Sequence, residues 1–179
     1  VLSDDIILLV GGTGYIGGGI ALKLLGIALG FAVIAGFYCC AVIIPYRLEK
    51  VCVIASSTSA VINIVLNFIL IPKFGFIGAA FTTLLSEAVA CIIYMKESLK
   101  IVKVFASIKV LLSNFIGAIG IYVICSLVKN VLVINYQRVG VSMVFSGLLY
   151  YVIQMLFGNI IVQEMTESFI DKFRSRNKR

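Results

Sequence analysis

The chain has 179 residues, 61% of them hydrophobic and 13% charged, with a mean hydropathy of +1.14. Soluble domains are nearer half apolar and a quarter charged, so this balance argues against a soluble domain and for an integral membrane protein. The net charge of +7 sits in short loops and a tail rather than on a basic face with interleaved aromatics. That excludes nucleic acid as a partner and assigns the charge to membrane topology.

The first residue is Val1, and neither a basic n-region nor a small-residue cleavage site precedes the apolar sequence. A signal peptide is not expected, and the chain reads as the tail of a longer reading frame. The cysteines (Cys39, Cys40, Cys52, Cys91 and Cys125) lie in or beside apolar blocks, and there is no histidine. They read as small buried hydrophobes; no metal site and no cofactor is expected.

The segment Ile6–Leu25, IILLVGGTGYIGGGIALKLL, has the pattern of a strand, a glycine-rich turn and a helix. It resembles the dinucleotide-binding signature of extended short-chain dehydrogenases and epimerases. In that motif glycines let the backbone approach a pyrophosphate at a helix N-terminus. A true unit needs an acidic residue about 20 residues further on, and none appears before Glu49. An NAD-binding enzyme is therefore the remote alternative, and a glycine-rich entry into the first span is the preferred reading.

A membrane span needs about 20 apolar residues to cross about 30 Å. Five blocks qualify, at roughly 20–44, 51–71, 75–95, 108–128 and 139–161, so the expected fold is an all-α polytopic bundle. Pro45 and Pro72 stand at span ends, and Tyr46, Tyr94 and Tyr136 fall where amphipathic rings prefer the interface. In the first span Lys23 either meets an anionic phosphate or snorkels outward, while Ala28, Ala32 and Gly36 form a packing stripe.

The second span carries the sharper signal. Ser56, Ser59, Asn63 and Asn67 fall within about 80° of helical arc, on a span that is otherwise mostly apolar. Such a stripe faces protein or water: it either bonds helices together or lines a cavity. In the third span Gly75, Gly78, Ala79, Thr82, Thr83, Ser86 and Ala90 group on one side as a packing face. Glu87 lies just off it, as a proton or cation site, a partner for a basic group, or a snorkelling charge. Ser113, Asn114 and Gly117 in the fourth span and Gln154 in the fifth are weaker candidates of the same kind.

The tail from 162 to 179 differs from the spans. Ile161, Met165, Phe169 and Phe173 recur every four residues with polar residues opposite, the pattern of an amphipathic helix on the inner leaflet. With this tail cytoplasmic, Arg47, Lys50, Lys96, Lys100, Lys103 and Lys109 also lie inside, against Lys73, Lys129 and Arg138 outside. The positive-inside rule thus sets the orientation and places the start of the chain outside.

The segment Asn63–Glu87 follows N-x-x-x-N-x-x-x-I-P-x-x-G-x-x-G-A-A-x-x-T-x-x-S-E, on Asn63, Asn67, Ile71, Pro72, Gly75, Gly78, Ala79, Ala80, Thr83, Ser86 and Glu87. This pattern resembles the polysaccharide flippases of the O-antigen and teichoic-acid type, in the multidrug, oligosaccharidyl-lipid and polysaccharide exporter superfamily. Upstream, the Gly–Tyr pair after an apolar segment resembles that family's loop and helix start. The basic loop, two further spans and charged tail resemble its C-terminal end. The motif is fairly specific and its flanks are generic.

The resemblance implies about 12 to 14 helices in two pseudo-symmetric halves around a central cavity, of which this chain is the end of the second half. Its implied function is movement of lipid-linked oligosaccharide or polysaccharide precursors across the cytoplasmic membrane by alternating access, with no reaction chemistry and no catalytic residue. The implied partners are the lipid-linked glycan, membrane lipids, and a missing N-terminal half or partner half-transporter, without which no transport is expected. Asn63, Asn67 and Glu87, with Lys23 from its own place inside a span, are the candidate cavity residues, and Pro72, Gly75, Gly78, Ala79, Ala80, Thr83 and Ser86 the packing motif. A cation-coupled drug exporter of the same superfamily and a non-transporting membrane scaffold are the alternatives.

Overall fold

The computed structural model describes residues 1–15, 17–103, 108–132 and 135–158, together with 162, 166 and 168. The proposed amphipathic tail lies almost wholly outside these residues. The described chain is helical throughout, with no strand among the described residues. It runs as α1 (Ser3–Gly11), a short 3-10 turn (Thr13–Tyr15), α2 (Gly19–Tyr38) continued by a π-helix (Cys39–Ile43), α3 (Glu49–Leu99), α4 (Ile108–Val131) and α5 (Asn135–Leu156). The segment before the glycines of GGTGYIGGG is thus a helix, and the strand that a dinucleotide-binding turn needs is not there.

Gly19–Ile43, Glu49–Leu99, Leu112–Val131 and Tyr136–Leu156 are each long and apolar enough to cross a membrane. Two compact units form, one from Val10–Val104 and one from Val1–Leu9 with Phe105–Arg179.

In the first unit the helix of α2 widens where Pro45 follows. Proline offers no N–H to the carbonyl four residues back, and the ladder slips to a five-residue step, with Ile44 N–H donating to the Cys39 carbonyl at 2.9 Å. Arg47, at φ 56°, then reverses the chain into α3.

The 51 residues of α3 are two helices. Gly75 sits at φ 55° and ψ −134°, a conformation that essentially only glycine adopts. Pro72, three residues earlier, has already removed one backbone donor. Across this break Gly78 lies against Leu70, Thr82 bonds Asn67, and Ser86 bonds Asn63 and Ser59. Rising numbers on one side meet falling numbers on the other, so the arms 49–74 and 76–99 form an antiparallel hairpin. Each arm is at least about 36 Å long at 1.5 Å per residue.

Helix α2 packs on this hairpin. Buried Ala35, Ile43, Ala55, Ala90, Cys91 and Tyr94 form the core, with Phe31, Tyr38, Leu48, Val51 and Ile93 around it. Of the packing stripe expected on α2, Ala28 is buried and Ala32 half-buried, but Gly36 is exposed with nothing against it, and the neighbouring Ala35 takes the buried place.

In the second unit α4 and α5 form another hairpin. Ser113 Oγ donates to Gln154 Oε1 at 3.2 Å, and Gln154 Nε2 donates to Asn114 Oδ1 at 2.8 Å. The same Asn114 oxygen accepts from the Tyr150 hydroxyl at 3.0 Å. These polar side chains serve the contact between the helices. Helix α5 starts before 139, so that Arg138 lies in its first turn, and it ends at Leu156 rather than 161. Gly158, at φ 65°, terminates it in the left-handed conformation that closes many helices.

Gly117 and Gly120 face Tyr150 and Leu149 across this hairpin. A Cβ on Gly120 would meet Leu149 Cδ2 at 2.5 Å, but that atom is the free end of a flexible side chain. Gly120→Ala is therefore expected to cost only about 1 kcal/mol, as read from unfolding titrations in mixed micelles. A cost several times larger would mean that Leu149 has no room to turn.

Candidate functional site

The polar stripe of the first α3 arm and the small-residue stripe of the second meet in one seam. Asn67 Nδ2 donates to Asn63 Oδ1 at 2.7 Å, and Asn67 Oδ1 accepts from Thr82 Oγ1 at 2.6 Å. Asn63 Nδ2 donates to Ser86 Oγ at 3.0 Å, and Ser59 Oγ donates to the Ser86 carbonyl at 3.0 Å. The hydroxyls of Thr82 and Thr83 both reach the Ala79 carbonyl, and Ser86 Oγ donates to the Thr83 carbonyl at 2.9 Å. For Ser86 the bond to the carbonyl three residues back satisfies the hydroxyl proton locally and leaves its oxygen to accept from Asn63 across the seam, whereas the single Thr82 proton is shared between the Ala79 carbonyl and Asn67 Oδ1.

Close backbone approach makes this seam possible. Gly78 lies against the Leu70 carbonyl, Ala80 is buried at 4% exposure, and Thr82 and Ser86 are buried as well. Pro72 and Gly75 are exposed at the bend. Pro72, Gly75, Gly78, Ala79, Ala80, Thr83 and Ser86 therefore surround the turn and the inner face of the hairpin.

Beyond Asn63, toward the open end of the hairpin, lies a groove of about 480 Å³. Its polar lining is Ser56, Ser59, Asn63, Thr83, Ser86, Glu87 and Tyr94, and Ala35 closes it from α2. Glu87 is half-buried there, and no hydrogen bond or ion pair reaches its carboxylate among the described residues. Asn67 lies on the other side of Asn63 and lines a separate, mostly apolar hollow of about 380 Å³ with Ile64, Phe68, Ile71 and Pro72.

The fourth sequence candidate stands apart. Lys23 is exposed and does not line the groove. Its neighbour Leu24 lines an apolar hollow with Leu70, Phe74, Ile77 and Phe81, at the level of the Gly75 bend. Twelve residues separate Lys23 from Ala35, or about 18 Å along the helix. The structure thus joins Asn63 and Glu87 in one groove, links Asn67 to them through a hydrogen bond, and leaves Lys23 elsewhere.

Tyr94 was missed as a groove residue because its position near a block end matched an interfacial ring. Its spacing of seven from Glu87 was the available signal, since positions i and i+7 share a helix face. The arrangement offers hydroxyl and amide groups with one carboxylate, groups that can hydrogen-bond a polar ligand. No cluster of three or more potential metal ligands occurs among the described residues. No family model matches the chain, and neither a curated protein nor a solved structure shows significant similarity to it.

Proposed function

We propose that this chain is part of a multi-pass membrane transporter of the polysaccharide flippase type, whose groove contributes one wall of the path for a lipid-linked glycan. The observation that carries this reading is a polar groove with an unpaired carboxylate inside helices whose outer faces are apolar. Phe68 is 80% exposed, Phe115 71% and Met143 72%. Lipid would cover such faces, whereas groups such as Asn63 and Glu87 belong where protein or water surrounds them. The basic residues near the helix ends favour a cytoplasmic C-terminus, and the flippase-type reading itself places the chain in the plasma membrane. The opposite wall would come from further helices, which the motif at Asn63–Glu87 leads one to expect in a two-halved transporter.

The test uses the full chain in lipid nanodiscs and a fluorescent, short-chain polyprenyl-diphosphate-linked disaccharide. Ser56→Phe places a ring in the groove and leaves the hydrogen bonds of Ser59, Asn63 and Asn67 in place, giving up the one between Ser56 and Tyr94. It is expected to weaken binding at least about tenfold, or about 1.4 kcal/mol. Lys23→Gln, outside the groove, should leave binding unchanged. Equal binding by Ser56→Phe and the parent chain would overturn the assignment of the groove, and loss on Lys23→Gln alone would move the site to the start of α2.

A further inference from the structure

Two thiols at the other end of the same unit remain unused by any of this. Cys39 opens the π-helix after α2 and Cys52 lies in the first turn of α3, with their Sγ atoms 3.6 Å apart. Both are free and half-buried, whereas neighbouring Cys40 is exposed and Cys91 is buried. The turn between them is short and well bonded. Leu48 N–H donates to the Ile43 carbonyl at 3.0 Å and Val51 N–H to the Leu48 carbonyl at 2.8 Å.

A disulfide needs its sulfurs at about 2.05 Å, so these two have about 1.5 Å left to close. The backbone here already departs from a regular α-helix, and rotation of one or both thiols covers such a distance. Two ligands with no histidine nearby make a poor metal site, while two facing thiols held by one turn make a favourable intramolecular pair.

We propose that Cys39 and Cys52 form a redox-modification site, oxidised to an intramolecular disulfide by a low-molecular-weight disulfide. One protein thiolate attacks the small disulfide, forming a mixed disulfide and releasing one small thiolate. The second protein thiolate then attacks the protein sulfur of that mixed disulfide, forming the Cys39–Cys52 bond and releasing the other small thiolate. Two protein thiols lose two electrons and two protons, and one small disulfide becomes two thiols. The new bond ties the end of α2 to the start of α3 beside Tyr94, which also lines the groove. Oxidation thereby fixes α2 against the hairpin at the groove's open end. This inference rests on the sulfur geometry and stands whatever the groove binds.

The experiment equilibrates the reduced full chain, in nanodiscs, with mixtures of reduced and oxidised glutathione. Free thiols are counted by maleimide mass labelling, and linked peptides are mapped by mass spectrometry. The expected result is that two of the five thiols disappear together and that the linked peptides contain Cys39 and Cys52. Cys52→Ser should then show no linked pair and at most one glutathione on Cys39. The proposal is overturned if Cys39 and Cys52 both persist as free thiols in mixtures that glutathionylate exposed Cys40. It is equally overturned if the bond runs from Cys40 or between two chains. Mapping of the parent chain decides these outcomes even where the variant fails to fold.

Discussion

Gly78→Val is expected to separate the two arms of α3 and to lower the unfolding free energy by about 3 kcal/mol, the upper end of what overpacking usually costs. A Cβ at position 78 would stand 2.6 Å from the Leu70 carbonyl oxygen, 2.8 Å from its carbon and 3.3 Å from the Ile71 nitrogen. All three are backbone atoms of the facing arm, so no side chain can swing aside. The whole arm must move, and the seam moves with it. Asn67 would draw away from Thr82 and Asn63 from Ser86, which now stand at 2.6 and 3.0 Å. Unfolding titrations in mixed micelles read the loss. Spin labels on the two arms read the separation. Stability within about 0.5 kcal/mol of the parent, well below the usual cost of overpacking, would show that the arms are not held at this spacing.

Most of this hairpin was legible in the sequence, because its signals are local. Pro72 and Gly75 interrupt the apolar run, and the spacing of Ser59, Asn63 and Asn67 puts them on one face whatever they touch. Their choice between gluing helices and lining a cavity was not legible, since it depends on the register between the arms. Gly78 sets that register by letting Leu70 approach, and the outcome is divided: Asn67 is spent on Thr82, while Asn63 both bonds Ser86 and lines the groove.

Distance along the chain explains what else escaped. Lys23 and Glu87 both stand out as charges in apolar blocks, but only packing shows that they lie at different levels of the hairpin. Arg138 looked like a loop charge for the same reason, because its partner Asp5 is 133 residues away.

Removing that guanidinium should have the other large effect. Arg138 Nη1 donates to Asp5 Oδ1 at 3.1 Å, and its Nε donates to the Leu132 carbonyl at 2.6 Å. The Asp5 side chain is only 7% exposed and that of Arg138 20%, so water screens neither well. Asp5 Oδ2 is buried with no hydrogen-bond partner among the described residues, which leaves the carboxylate dependent on Arg138. Arg138→Ala would strand a buried negative charge, a change that typically costs about 3–5 kcal/mol. Because the charge sits on α1, the cost should appear there first, as hydrogen exchange over residues 3–9 accelerated by about a hundredfold or more. Arg138→Lys should recover little, since one ammonium cannot serve the Leu132 carbonyl and Asp5 in the forked geometry of a guanidinium. The double variant Asp5→Asn with Arg138→Gln removes both charges together and should recover most of the protection. If Arg138→Ala alone left exchange over residues 3–9 unchanged, the ion pair would not be what holds α1 to α5, and the packing around Ser3 would have to do so instead.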